Sequence, residues 1–272
     1  MLSNNRSDPL LDSPFNDPSS GPAIGAKAGL LGAFVLAACT GVGYKVWSAQ
    51  KSVGADDCTA VPPREIAALI DPSDLPSPEQ LLALKGSIRR QQSNLPTGAK
   101  LSLYLLTPEG SELVRPLFSA CKPKSGAQAE RLTENRKLLD QAYYQRWTEP
   151  LETTLSELDA MAPASSSPIL EGLHALGQQA GWGKGSLELE IWSDLLQKSK
   201  TLDQYAAPCR SYQDLLQGQS LYAQAAGLTG AEIRVYRWTN DKTKKTEPAC
   251  HTAFWNDYFT QSSGLAPTWL NL

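Results

Sequence analysis

Apolar and polar positions alternate between strand-like and helix-like periods from about residue 62 onward. Arg64-Glu65-Ile66-Ala67-Ala68-Leu69-Ile70 is a short, nearly continuous apolar run ending at Asp71, the pattern of a central strand covered on both faces. After Pro76-Ser77-Pro78, a helix is predicted to about Gln92, with Leu81, Leu82, Leu84 and Ile88 at a 3.6-residue period and Ser77 or Pro78 at its start. Lys100 to Leu106 then alternates as a strand. Strand, helix and strand in that order predict a right-handed crossover and a parallel pair.

The same reading continues to the C-terminus. Leu113 to Ser119 predicts a short antiparallel edge strand, reached through the turn at Thr107-Pro108-Glu109-Gly110. Gln128 to Met161 is helical in pattern, punctuated by Pro150. The loop Ala164-Ser165-Ser166-Ser167-Pro168 precedes a helix from Ile169 to Gln179. Further elements are a strand from Ser186 to Ser193, a helix from Ser211 to Ala226, a strand from Ala231 to Trp238, and an amphipathic helix from His251 to Gln261. The expected fold class is α/β: a doubly wound, mostly parallel central sheet flanked by helices, occupying residues 62–272.

A different regime precedes it. Residues 1–22 are rich in Asn, Ser, Asp and Pro and read as a disordered tail, because such a segment buries too little apolar surface to offset its ordering entropy. Ala28 to Tyr44 carries no charge and is bounded by Lys27 and Lys45. Extended over 23–47, with Tyr44 and Trp47 at an interface, it predicts one transmembrane helix, followed by a linker over 48–61. Leu36-Ala37-Ala38-Cys39 resembles the lipobox of bacterial lipoproteins. The long lead before it, with Asp8, Asp12 and Asp17, is unlike the short basic opening of an export signal and favours the uncleaved anchor. Gly25, Gly29, Ala33, Ala37 and Gly41 recur every four residues, a small-residue face along which a second helix could pack, giving a homo- or hetero-oligomer.

Composition narrows the function. Net charge is −3, and Lys and Arg form no basic stripe dense enough to track phosphates, so nucleic acid is not an expected partner. Two histidines, His174 and His251, lie on predicted helices, and no nucleophile elbow, phosphate loop or zinc-protease helix is present. No catalytic residue is assigned, and the chain is not read as an enzyme. Cys58, Cys121, Cys209 and Cys250 form an even set outside the membrane segment, which permits two disulfides in three connectivities and favours a periplasmic domain.

In doubly wound sheets, ligands gather at the carboxyl ends of the central strands. There the sequence places Asp71 and Ser73, then Ser165 to Ser167, then Ser193 and Asp194. Carboxylates and hydroxyls from three loops make a hard-oxygen site suited to Mg²⁺. On these residues the chain resembles a von Willebrand factor A-type domain, whose metal-ion-dependent adhesion site uses Asp-x-Ser-x-Ser after the first strand, a Thr before a later helix and an Asp after the fourth strand. The resemblance implies Asp71, Ser73, Ser167 (or Ser166) and Asp194 as metal ligands. Leu75 stands where the second Ser would be, leaving Asp74 or water to substitute. Together with the anchor, this gives an expected membrane-anchored module at a bacterial-type inner membrane, and the resemblance implies that it binds a partner protein through a Mg²⁺-dependent loop face. Two alternatives stay open: a metal-independent structural subunit of a membrane complex, and a metal-dependent phosphoester hydrolase.

Overall fold

The computed structural model describes residues 58–108, 114–179, 182–206, 210–225, 227–238 and 249–272. The expected tail, the transmembrane helix with its small-residue face, most of the linker, and Cys209 lie outside them. Among the described residues no helix is long and apolar enough to cross a membrane.

A six-stranded sheet runs in the order β3-β2-β1-β4-β5-β6. Its strands are β1 (Glu65–Ile70), β2 (Lys100–Leu106), β3 (Val114–Cys121), β4 (Leu187–Trp192), β5 (Glu232–Arg237) and β6 (Thr268–Asn271). Neighbours are parallel except β2 and β3, which pair antiparallel at one edge. Every residue of β1 is buried because helices cover both faces. Ala67 and Leu69 enter one core cluster, and Ile66, Ala68 and Ile70 the other.

Helix α1 (Pro78–Asn94) follows from local chemistry. The Ser77 side chain accepts from the Gln80 N–H and the Gln80 side chain returns to the Ser77 N–H, a capping box, with Pro78 at the first helical position. Leu84 and Ile88 are buried, whereas Leu82, expected on the same face, points to solvent. The stretch expected to be helical over 128–161, with Pro150 punctuating it, holds α2 (Arg136–Tyr143), a π-helical turn (Tyr144–Thr148) and α3 (Glu149–Glu157). Pro150 explains the break: it has no N–H to donate and its ring would crowd the carbonyl four residues earlier, so the turn before it widens.

On the opposite face lie α4 (Ile169–Gly177), α5 (Tyr212–Gln217) and α6 (His251–Ser263), the last burying Phe254, Trp255, Tyr258 and Phe259. Helix α5 is shorter than its periodicity predicts, ending at Gly218. Gly264 then adopts φ 81°, which glycine tolerates at a helix stop, and turns the chain into β6, a strand that the sequence pattern does not reveal. Strand β4 is buried on both faces although its pattern alternates. Its polar positions are paired: Glu188 with Arg64 and Arg234, and Glu190 as acceptor from Gln91 (3.0 Å), Trp192 (3.3 Å) and Tyr236 (3.3 Å). Burial raises the Glu190 pKa above the ordinary range.

Cys58 and Cys121 form a disulfide with Cα atoms 5.0 Å apart, and Cys250 is disulfide-bonded as well. The first bridge ties the entry to the domain to the end of β3 across a sequence separation of 63 residues. For a loop of that size the chain-entropy model gives about 4 kcal/mol of stabilisation. Cys121→Ser should therefore lower the urea midpoint of unfolding substantially, with a steeper slope because the uncrosslinked unfolded chain exposes more surface; an unmoved midpoint would show that the bridge does not hold this edge.

Candidate functional site

The strand order reverses between β1 and β4, and both strands end in an aspartate. Asp71 follows β1 and its N–H donates to the Trp192 carbonyl at 3.0 Å, so the tips of the two strands are locked side by side. Its side chain is 2% exposed. Oδ2 accepts from the hydroxyls of Ser167 and Ser193, each at 2.7 Å, and Oδ1 accepts from the Ser73 N–H at 2.9 Å. Burial pushes the Asp71 pKa up, and these donors only partly pull it back.

Asp194 is also 2% exposed. Its Oδ1 accepts from the Leu196 N–H at 2.9 Å, whereas Oδ2 is buried and meets no donor. Asp74 lies close enough for its charge, together with that of Asp71, to act on Asp194. Neighbouring carboxylates offer each other only acceptors, so their charges repel unless a proton or a cation offsets them. Burial first, then the charges of Asp71 and Asp74, raise the Asp194 pKa to about 8. Tyr205 closes this side, its hydroxyl donating to Asp74 Oδ2 at 3.3 Å, and burial together with the three nearby carboxylates pushes its phenol far up. Lys198, 5.9 Å from the Tyr205 ring centre, is the adjacent cation.

The loop after Asp194 is held rigidly. Leu195 takes φ 61°, a strained conformation for a bulky side chain, and its carbonyl accepts from His251 Nε2 (2.9 Å) and Trp255 Nε1 (2.8 Å) on α6. Gln197 is fully buried; its carbonyl oxygen caps α4 at the Leu170 N–H (3.0 Å) and its amide donates to Glu171 (2.8 Å). Ser167 exchanges two backbone hydrogen bonds with Lys198, joining the loop before α4 to this segment.

All four residues expected from the sequence therefore meet at one place, although Ser167 is spent on Asp71 and Leu75 is solvent-exposed. Asp74, expected as a substitute ligand, lies near Asp194. Tyr205, Gln197 and the His251–Trp255 clamp carried no sequence signal, because a loop without periodicity and two positions on an amphipathic helix do not announce a shared target.

Among the described residues no three His, Cys, Asp or Glu side chains close on a point able to hold a metal ion. A dry carboxylate cage is thus absent. The orphaned Asp194 Oδ2, with Asp74 near it, is the kind of donor that a hydrated Mg²⁺ would use, since that ion retains several of its waters and binds through one or two carboxylates.

No protein-family model matches the chain, and no curated protein does. An aerotolerance-related membrane protein from Bacteroides fragilis, crystallised with multiple mutations to serines, is similar in structure at 8% identity and a TM-score of 0.39, over 76% of this chain and 90% of that one. A likeness of that degree carries no functional argument.

The acidic cluster has a pH signature. An unfolded Asp ionises near pH 4, and folded Asp194 near 8, so between these values the folded state keeps a proton that the unfolded chain has released. Stability in EDTA should fall as pH rises from about 4 to about 8. Thermal melts across this window should show that fall, and Asp194→Asn should flatten much of it; a flat wild-type profile would contradict the assignment.

Proposed function

We propose that the chain is a membrane-anchored protein-interaction module whose partner docks on the loop face around Asp71, Ser73, Ser167 and Asp194. The observation that carries this reading is the convergence of Asp71, Asp74 and Asp194 at the strand-order reversal, with one buried carboxylate oxygen lacking a donor. A Mg²⁺ held by Asp194, Asp74 and Ser73 would supply the missing counter-charge and leave coordination positions for a carboxylate of the partner. The von Willebrand factor A-type reading is supported by the placement of Asp71 and Asp194 at the ends of β1 and β4. An extracytoplasmic location is supported by the Cys58–Cys121 disulfide, since such bridges persist in oxidising compartments.

A metal-independent version has its own support, because three donors already satisfy both oxygens of Asp71. One experiment separates the two. A photo-crosslinking amino acid at exposed Leu75, in the full chain in its native membrane, should capture a discrete protein. Calorimetric titration of the purified chain with MgCl₂ should show one site. The double variant Asp71→Ala/Asp194→Ala should lose both signals, with Ser73→Ala as a milder variant that preserves the fold. Capture that survives EDTA but not the double variant selects the metal-independent version; capture and Mg²⁺ uptake that both survive the double variant overturn the site.

A further inference from the structure

Strand polarity gives the domain two unlike ends. The carboxyl ends of the parallel strands carry the aspartate cluster; the amino ends carry the Cys58–Cys121 bridge, because Cys121 pairs in register with Lys100 at the start of β2. Everything N-terminal to Cys58 therefore joins the domain at the amino-end pole. From Lys122 the chain continues over that pole. The Lys122 carbonyl accepts from Gly98, Thr97 bonds Gln128 at 3.1 Å, and Asp140 Oδ1 accepts from the Gly126 N–H at 2.8 Å, which brings α2 alongside.

This surface exposes apolar side chains beside basic ones. Leu132 is 98% exposed and Leu138, on α2, 62%; no residue of α2 is buried. Arg131, Arg136 and Lys137 beside them are exposed. Of the acidic neighbours, Glu134 pairs with Lys124 at 2.5 Å, Asp140 accepts from the Gly126 N–H, and exposed Glu130 accepts from the Thr133 hydroxyl. Val61, 57% exposed, adds an apolar side chain next to the bridge.

We infer that this pole is a lipid-docking surface, on which Leu132 and Leu138 enter the interface while Arg131, Arg136 and Lys137 meet anionic headgroups. The inference rests on the reading of 23–47 as a membrane anchor. Residues 48–57 join that segment to Cys58, and even fully extended they reach only about 35 Å, so a bilayer is the surface always within range. Exposed apolar side chains flanked by arginine and lysine are the chemistry of interfacial binding, and each basic residue near an anionic leaflet adds to the attraction. Docked this way, the domain presents its aspartate cluster outward, roughly 20 Å beyond the docked face for a six-residue strand and its turns.

The full chain should be reconstituted into nanodiscs of phosphatidylcholine alone and of phosphatidylcholine with phosphatidylglycerol. Hydrogen exchange is then read over residues 127–143. Recovery of the chain with the discs reports the anchor, and exchange reports the docking. We expect exchange about tenfold slower in the anionic discs, restored by 0.5 M salt and by Arg131→Glu/Leu132→Ser/Arg136→Glu, with protection of β1 and β4 unchanged. Equal exchange in the two discs, or protection that persists in the triple variant, would overturn the docking while leaving the anchor standing. A chain that does not partition into discs removes the anchor and the inference with it. Protection that appears only in native membranes would assign the surface to a protein partner and overturn the lipid assignment.

Discussion

Two buried aspartates follow two adjacent parallel strands, and only one of them has hydrogen-bond donors on both carboxylate oxygens. Asp71 is surrounded by donors from three segments, Ser73, Ser167 and Ser193, which binds the loops after β1, before α4 and after β4 into one unit. Asp194, one strand over, has a single backbone donor and faces Asp74 instead. The rigidity invested around it, from the strained Leu195 clamped by His251 and Trp255 to the buried Gln197 that caps α4, holds a carboxylate where it is electrostatically unfavourable. Such an arrangement persists when the surrounding fold over-determines it, and strain of this kind clusters at functional sites.

The same strand polarity separates the two ends of the domain. A disulfide and a surface of exposed leucines beside arginine and lysine mark the amino-end pole, while the carboxyl-end pole gathers three aspartates. The proposed attachment at one pole and recognition at the other rest on a single topological fact, that five of the six strands point the same way. An antiparallel sheet would have mixed both chemistries at each end.

Local signals in the sequence were strong where each residue's role was local. The apolar run of β1, the Ser77–Gln80 capping box and the aromatic stripe of α6 each specify their element without help from distant residues. Elements set by tertiary context were less legible. The alternation of β4 reads as half-solvated because Glu188 and Glu190 find partners on Arg64, Arg234, Gln91 and Tyr236, far apart in sequence. Strand β6 is too short to show a period and exists because Gly264 turns it onto β5. Of the site, Asp71, Ser73, Ser167 and Asp194 were legible from their positions after strands and before a helix. The nearness of Asp74 to Asp194 and the clamp on Leu195 were not, since each joins segments whose approach only the folded sheet defines.

The central claim is that the Asp74–Asp194 pair is a site for a counter-charge. Crystals of the protein grown with Mn²⁺ in place of Mg²⁺ test it most directly, because Mn²⁺ shares the oxygen preference of Mg²⁺ and scatters anomalously. The account predicts one anomalous peak at coordination distance from Asp194 Oδ2, with Asp74 and Ser73 completing the protein ligands. A map without that peak, in which a protein donor has moved to satisfy Asp194 Oδ2, would contradict it.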